Sequence, residues 1–139
     1  MVLHDERLEI INFFKKNKVD FSRLVWYHCT SEYPCPFDRL YLREISILKE
    51  LVPVKSFVGF SNHGYGIAAD IAACVLGATW IERHFVDDRA LRHTDAAVSL
   101  EPGGFRKLIR DLDAVRDAMQ YKLDMSDEEK EQRCKLKTR

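Results

Sequence analysis

The sequence predicts an α/β fold in which parallel strands are joined by crossover helices. Two observations carry this: segments with apolar residues at helical spacing alternate with short runs of strand formers, and each strand run ends in polar or turn residues. Strands that alternate singly with helices pair in parallel, because a parallel pair cannot be closed by a tight hairpin.

Asp5 opens a stretch in which Leu8, Ile11 and Phe14 recur at helical spacing among charged residues, which predicts an amphipathic helix. Leu24 to Tyr27 is a strand-forming run. It leads into His28-Cys29-Thr30-Ser31 and then Tyr33-Pro34-Cys35-Pro36, where two prolines forbid regular structure. Leu40 to Leu51 is helical through Ile45 and Leu48, and Ser56 to Phe60 is a second strand that ends in turn residues Asn62, Gly64 and Gly66. Ile67 to Leu76 is Ala-rich and apolar on most faces, suited to close packing on a sheet, with Gly77 as its stop. Thr79 to Phe85 makes a third strand. After a charged loop from Asp87 to Asp95, Ser99 is a candidate N-cap with Pro102 in the first turn, and Phe105, Leu108, Ile109, Leu112, Val115 and Met119 form an apolar stripe. The tail from Asp124 is almost wholly charged and lacks an apolar face, so residues 122–139 read as a charged tail or linker beside a domain of residues 1–121. Three strands are too few for a closed eight-stranded barrel, which takes ~250 residues. The sheet is either small and open or part of a larger one.

Composition narrows the function classes. The 139 residues carry 22 basic and 22 acidic side chains, so no net field points to nucleic acid or an anionic membrane surface. The longest apolar stretch, Ile67 to Ile81, is interrupted by Asp70, Gly77 and Thr79 and is too short to span a bilayer. Cys29, Cys35, Cys74 and Cys134 include no Cys-x-x-Cys pair and lack the density of a disulfide scaffold, which fits reduced thiols and a cytoplasmic location.

The chemistry gathers where strands end, the edge at which parallel α/β folds bind ligands. His63 and His84 follow neighbouring strands, so their imidazoles could converge on one divalent ion; Mn, Fe, Co and Zn all suit imidazole with oxygen ligands. The alternative is that each ring hydrogen-bonds a backbone carbonyl at its strand end. His28 precedes the loop and reads as a satisfied core histidine. Cys29 and Cys35 read as buried, inert thiols rather than ligands or a nucleophile. Ser31, Ser61 and Asn62 could hold phosphate oxygens or could serve as turn residues. Glu82 and Arg83 lie in a strand of alternating direction, where a structural ion pair competes with a catalytic role.

Four ordered motifs carry a resemblance to a known family: His28-Cys29-Thr30-Ser31-Glu32-Tyr33-Pro34-Cys35-Pro36, Gly59-Phe60-Ser61-Asn62-His63, Leu76 to Phe85 with Glu82-Arg83-His84, and Thr94-Asp95 with Ser99-Leu100-Glu101-Pro102. From about Leu24 to Met119 the chain resembles the N-acetylneuraminate (sialic acid) synthase family. That resemblance implies a partial TIM-type (β/α) barrel, its last three βα units, with about three parallel strands and crossover helices. It implies a transferase reaction in which C3 of phosphoenolpyruvate adds to the open-chain aldehyde of N-acetylmannosamine or a related amino sugar, with release of phosphate.

The resemblance places a divalent metal, Mn or Mg, on His63 and His84. Ser61 and Ser31 resemble contacts to phosphoenolpyruvate, and Tyr33 and Asp95 resemble contacts to the amino sugar. It assigns no catalytic side chain within this chain. Asn62 stands where many relatives have Asp, and Arg92-His93-Thr94-Asp95 replaces a Pro-Gly-Pro-Asp or Gly-Thr-Asp loop, departures that bear on sugar specificity. The opening helix would correspond to the fifth of the parent barrel, with the strands supplying phosphate-binding lysines and a catalytic carboxylate lying outside this chain. Self-association or a complementary N-terminal half-barrel is the expected partner. Two competing readings are a non-catalytic remnant that binds ligand, metal or the missing half, and a zinc module built from His63, His84 and a cysteine.

Overall fold

The computed structural model describes residues 2–91 and 94–137; Arg92 and His93, which fall in the loop noted above, lie outside the described residues. The elements run α1 (His4–Lys16), β1 (Val25–Cys29), α2 (Glu44–Leu51), β2 (Phe57–Asn62), α3 (Ala68–Val75), β3 (Trp80–Arg83), α4 (Pro102–Ala118) and α5 (Asp127–Lys137). The three strands form one parallel sheet in the order β1-β2-β3. This is the α/β arrangement expected from the alternation of elements.

Register explains which residues share a face. Tyr27 pairs with Gly59 and Gly59 with Trp80; one layer further on, Cys29 pairs with Ser61 and Ser61 with Glu82. With a side-chain period of two, these residues stand on one face, and Trp26, His28, Val58, Phe60, Asn62, Ile81 and Arg83 stand on the other. The second face is the core. Val58 and Phe60 pack there with Leu40, Ile45 and Leu48 before and within α2, and with Ala69 and Ala73 of α3. Small alanines let α3 approach the sheet closely, which accounts for its unusual composition. Gly77, at φ +106°, stops that helix as the sequence predicts, and its N–H closes on the Cys74 carbonyl at 3.0 Å.

Local differences from the sequence reading have local causes. Helix α2 starts at Glu44 rather than Leu40, because residues 37–39 form a 3-10 turn and Tyr41 adopts φ +46°. On α1, Ile11 is buried and Phe14 meets Trp26 edge-on at 5.8 Å, but Leu8 stays exposed. Ser99 is not the cap of α4. Its segment runs alongside the end of β3, with Leu100 N–H on the His84 carbonyl at 2.8 Å, so the Ser99 hydroxyl donates to the Asp95 carbonyl (2.8 Å) and Glu101 takes the cap position before Pro102. The charged tail contains the regular helix α5, opened by reciprocal bonds between Ser126 and Glu129, with no buried residue. No described helix is long and apolar enough to cross a membrane.

Candidate functional site

The parity that sets the sheet faces also gathers the polar residues. His63 and His84 directly follow β2 and β3, in phase with Ser61 and Glu82, so all four stand at the C-terminal edge of the face opposite the core. The His63 and His84 ring centroids are 5.2 Å apart, with the planes at 82°. Two imidazoles on one ion at ordinary bond angles have centroids roughly 4.5–5.5 Å apart, given a metal–nitrogen bond of ~2.1 Å plus the ring radius. The spacing fits a shared ion.

The surroundings fix the rings. His63 is 3% exposed, and its Nδ1 lies 2.8 Å from the Thr30 carbonyl at the end of β1. An N–H must sit between two such atoms, so Nδ1 donates and Nε2 keeps its lone pair, the tautomer a metal ligand requires. Nε2 lies a loose 3.5 Å from the Ser61 hydroxyl. His84 Nδ1 is 3.6 Å from Asp95 Oδ2, an ion-pair distance too long for a hydrogen bond. Both readings of the pair thus meet in His63: it does bond a strand-end carbonyl, through the nitrogen a metal would not use.

Tyr33 walls the pair. Its ring stacks on His63 at 4.0 Å and meets His84 edge-on at 5.6 Å, beside the cis Tyr33–Pro34 bond. Desolvation first, then the neighbouring charges of Cys29, Asp95 and Glu82, hold its hydroxyl above the ordinary tyrosine pKa. Ser61 donates to Glu82 Oε2 at 2.6 Å, a bond the sequence reading did not foresee, although shared parity with His84 places Glu82 on the site face. Ser31 is exposed, and it reaches the site through Cys29, whose Sγ is 3.8 Å from Ser31 Oγ and 3.9 Å from His63 Nδ1.

Several residues depart from their sequence readings. Cys29 is exposed on the site face rather than buried, because its strand parity is that of Ser61. Cys35 is buried, and burial pushes its thiol pKa up. His28 is the core histidine expected, with Nε2 2.8 Å from the Leu40 carbonyl. Asn62 is wholly buried on the opposite face, so it contacts no ligand: its side chain receives the Gly64 N–H at 2.7 Å and donates to Asp70 Oδ1 at 3.0 Å. Glu82 and Arg83 point to opposite faces, so they form no ion pair with each other. Arg83 lies instead 3.9 Å from Asp70 Oδ2.

Burial dominates that buried pair. It pushes the Asp70 carboxyl up to about 6 despite the attraction of Arg83, and lowers the Arg83 pKa despite Asp70. Asp70 Oδ2 and Arg83 Nε have no hydrogen-bond partner, so 3.9 Å marks an ion-pair contact without a bond. One charged residue in an otherwise apolar helix was the available signal for Asp70.

Among the described residues, no three His, Cys, Asp or Glu side chains converge on a point suited to an ion. The zinc-module reading is therefore unsupported: the nitrogen of His63 nearest Cys29 is engaged by Thr30, and the Cys35 thiol faces the Pro36 carbonyl at 3.6 Å. Two imidazoles with their remaining positions open to water or substrate form the donor set that the site offers.

Comparison with known proteins agrees with this architecture. Over 111 residues the chain is 36% identical to the N,N'-diacetyllegionaminic acid synthase of Campylobacter jejuni, covering 80% of this chain and 33% of that protein. It is 40% identical over 91 residues to the N-acetylneuraminate-9-phosphate synthase of Homo sapiens, covering 66% of this chain and 25% of that protein. It therefore spans a third or less of the length of these curated relatives. The crystal structure of the N-acetylneuraminic acid (sialic acid) synthetase from Leptospira borgpetersenii, in complex with citrate, superposes with a TM-score of 0.81 at 29% identity, covering 95% of this chain and 45% of that one. Three parallel strands with intervening helices thus correspond to part of a synthase TIM barrel, and because the family model matches residues 1–124, the chain belongs to the NeuB family.

Proposed function

We propose that this chain supplies the last three βα units of a nonulosonate synthase, a C–C bond-forming transferase that condenses phosphoenolpyruvate with N-acetylmannosamine or a related amino sugar. The observation that carries the reading is the convergence of His63 and His84 at the C-terminal edge of the sheet, 5.2 Å apart and walled by Tyr33. In this reading His63 and His84 hold a divalent ion, Mn or Mg, which when bound supplies Lewis-acid polarisation of the sugar aldehyde.

The other residues bind and orient. Asp95, beside His84, is the acceptor for sugar hydroxyls, since an ionised carboxylate can take two of them. Tyr33 offers an exposed ring face to the N-acyl group. Ser31 and Ser61 contact phosphoenolpyruvate; the Ser61 O–H now points to Glu82, so an anion is met by rotation of that hydroxyl. The functional assembly includes further barrel strands, contributed by a complementary half-barrel or approximated by self-association, and resides in the cytoplasm.

Metal binding is the direct test. Titration of Mn²⁺ into the chain, followed by loss of the free-ion EPR signal, should give one site per chain that His63→Ala and His84→Ala each weaken at least tenfold. Cys29→Ala should change affinity less than threefold. Binding that survives the double histidine substitution would sink the reading.

A further inference from the structure

We propose that Arg83 is a positioning residue for the histidine pair, its guanidinium fixing the turn that carries His63 against the strand end that carries His84. This rests on the metal reading above and adds to it a residue that touches neither ion nor substrate. The Arg83 side chain is 1% exposed and lies on the core face of β3, behind the site. Its Nη1 donates to the Asn62 and Gly64 carbonyls at 3.0 and 3.1 Å, the two that flank His63, and its Nη2 donates to the Val98 carbonyl at 3.0 Å. Val98 belongs to the segment that presents Asp95 to His84, for Val98 and Ser99 N–H both return to the Asp95 carbonyl at 3.1 Å and Leu100 N–H bonds the His84 carbonyl. One side chain thus ties together three backbone pieces, each bearing a residue of the site.

A rigid planar fork can serve three diverging carbonyls, whereas an ammonium is a point donor on a flexible stem. The fold retains a buried cation that stands 3.9 Å from the Asp70 carboxylate without a hydrogen bond to it, where an apolar side chain would avoid the desolvation cost. The return is geometric: the His63 turn is held from behind by Arg83 and again by Asn62, whose side chain takes the Gly64 N–H.

The experiment compares Arg83→Lys and Arg83→Gln with Gly77→Ala, a variant destabilised away from the site. Mn²⁺ affinity is read by EPR, fold by circular dichroism, and local order by hydrogen exchange of the Cys35 and Leu100 amides, which bond the His63 and His84 carbonyls. The expected result is a folded Arg83 variant with Mn²⁺ affinity lowered tenfold or more and both amides exchanging at least tenfold faster, against less than threefold changes in Gly77→Ala. Wild-type affinity and exchange in a folded Arg83 variant would overturn the proposal. Failure of both Arg83 variants to fold would also overturn it, by assigning the residue to the fold as a whole. Absence of His-dependent Mn²⁺ binding in the wild type would sink the metal reading instead, and the exchange rates would then decide the positioning role alone.

Discussion

The buried Asp70 carboxyl makes a pH prediction that turns on sign. In the folded chain its pKa is pushed up to about 6, from an ordinary value of 3.8. Between those values the folded state binds more protons than the unfolded state, so this group's contribution to stability falls as pH rises through the window, by up to roughly 3 kcal/mol. Asp70→Asn, which mimics the neutral acid in the folded and the unfolded state alike, escapes that loss, so between pH 5 and pH 7 it should gain about 1–1.5 kcal/mol of stability relative to wild type. Urea unfolding at the two pH values checks this. A difference between Asp70→Asn and wild type that is the same at both pH values would mean that Asp70 is ionised throughout. The same residue marks how far single positions can be read from sequence. An isolated Asp in an Ala-rich helix announces a buried polar contact, but its partners, Asn62 and Arg83, sit on strands whose register only the folded sheet reveals.

At the scale of elements, the alternation of helix and strand was legible because periods of 3.6 and 2 leave different apolar patterns, and each of the three strands appears within a few residues of its expected place. Boundaries were less legible where a backbone dihedral decided them, as at Tyr41, whose positive φ delays α2. The opposed faces of Glu82 and Arg83 follow from strand alternation, which also places Glu82 beside His84; the Ser61–Glu82 bond follows only from the pairing of β2 with β3. Gly59 tests that pairing. A Cβ built there would lie 2.5 Å from the Tyr27 ring, which lies across β2 between paired strands. Gly59→Val must displace that ring, and overpacking of this kind costs about 1–3 kcal/mol. Thermal unfolding should show the loss, and Tyr27→Ala in the same chain should recover most of it. A Gly59→Val chain as stable as wild type would show that Tyr27 does not lie where its register places it.

The whole molecule presents a sheet with one covered face and one open face. Helices α2 and α3 bury Val58 and Phe60, whereas Tyr27, Phe57 and Trp80 on the other face are 41%, 41% and 51% exposed. In a closed barrel those residues would be interior, surrounded by eight strands, and β1 and β3 would each have two neighbours; here each pairs with β2 alone as a strand. An aromatic face with two strand edges favours association, since both apolar surface and unpaired backbone groups remain exposed. The 16.2 kDa chain should therefore run above its monomer mass in light scattering, and Phe57→Lys with Trp80→Lys should shift it back. Chemistry is more demanding than association. Condensation needs donors fixed around the charge that develops on both substrates, and three strands supply only one side of that shell. The chain alone should bind Mn²⁺ yet release no phosphate from phosphoenolpyruvate and N-acetylmannosamine above background, while co-expression with the preceding barrel strands of a related synthase should restore release in a His63- and His84-dependent way. A monomer with metal-dependent turnover would mean that one open arc of the barrel suffices for the reaction, and that the exposed aromatic face is part of a working site rather than a surface awaiting cover.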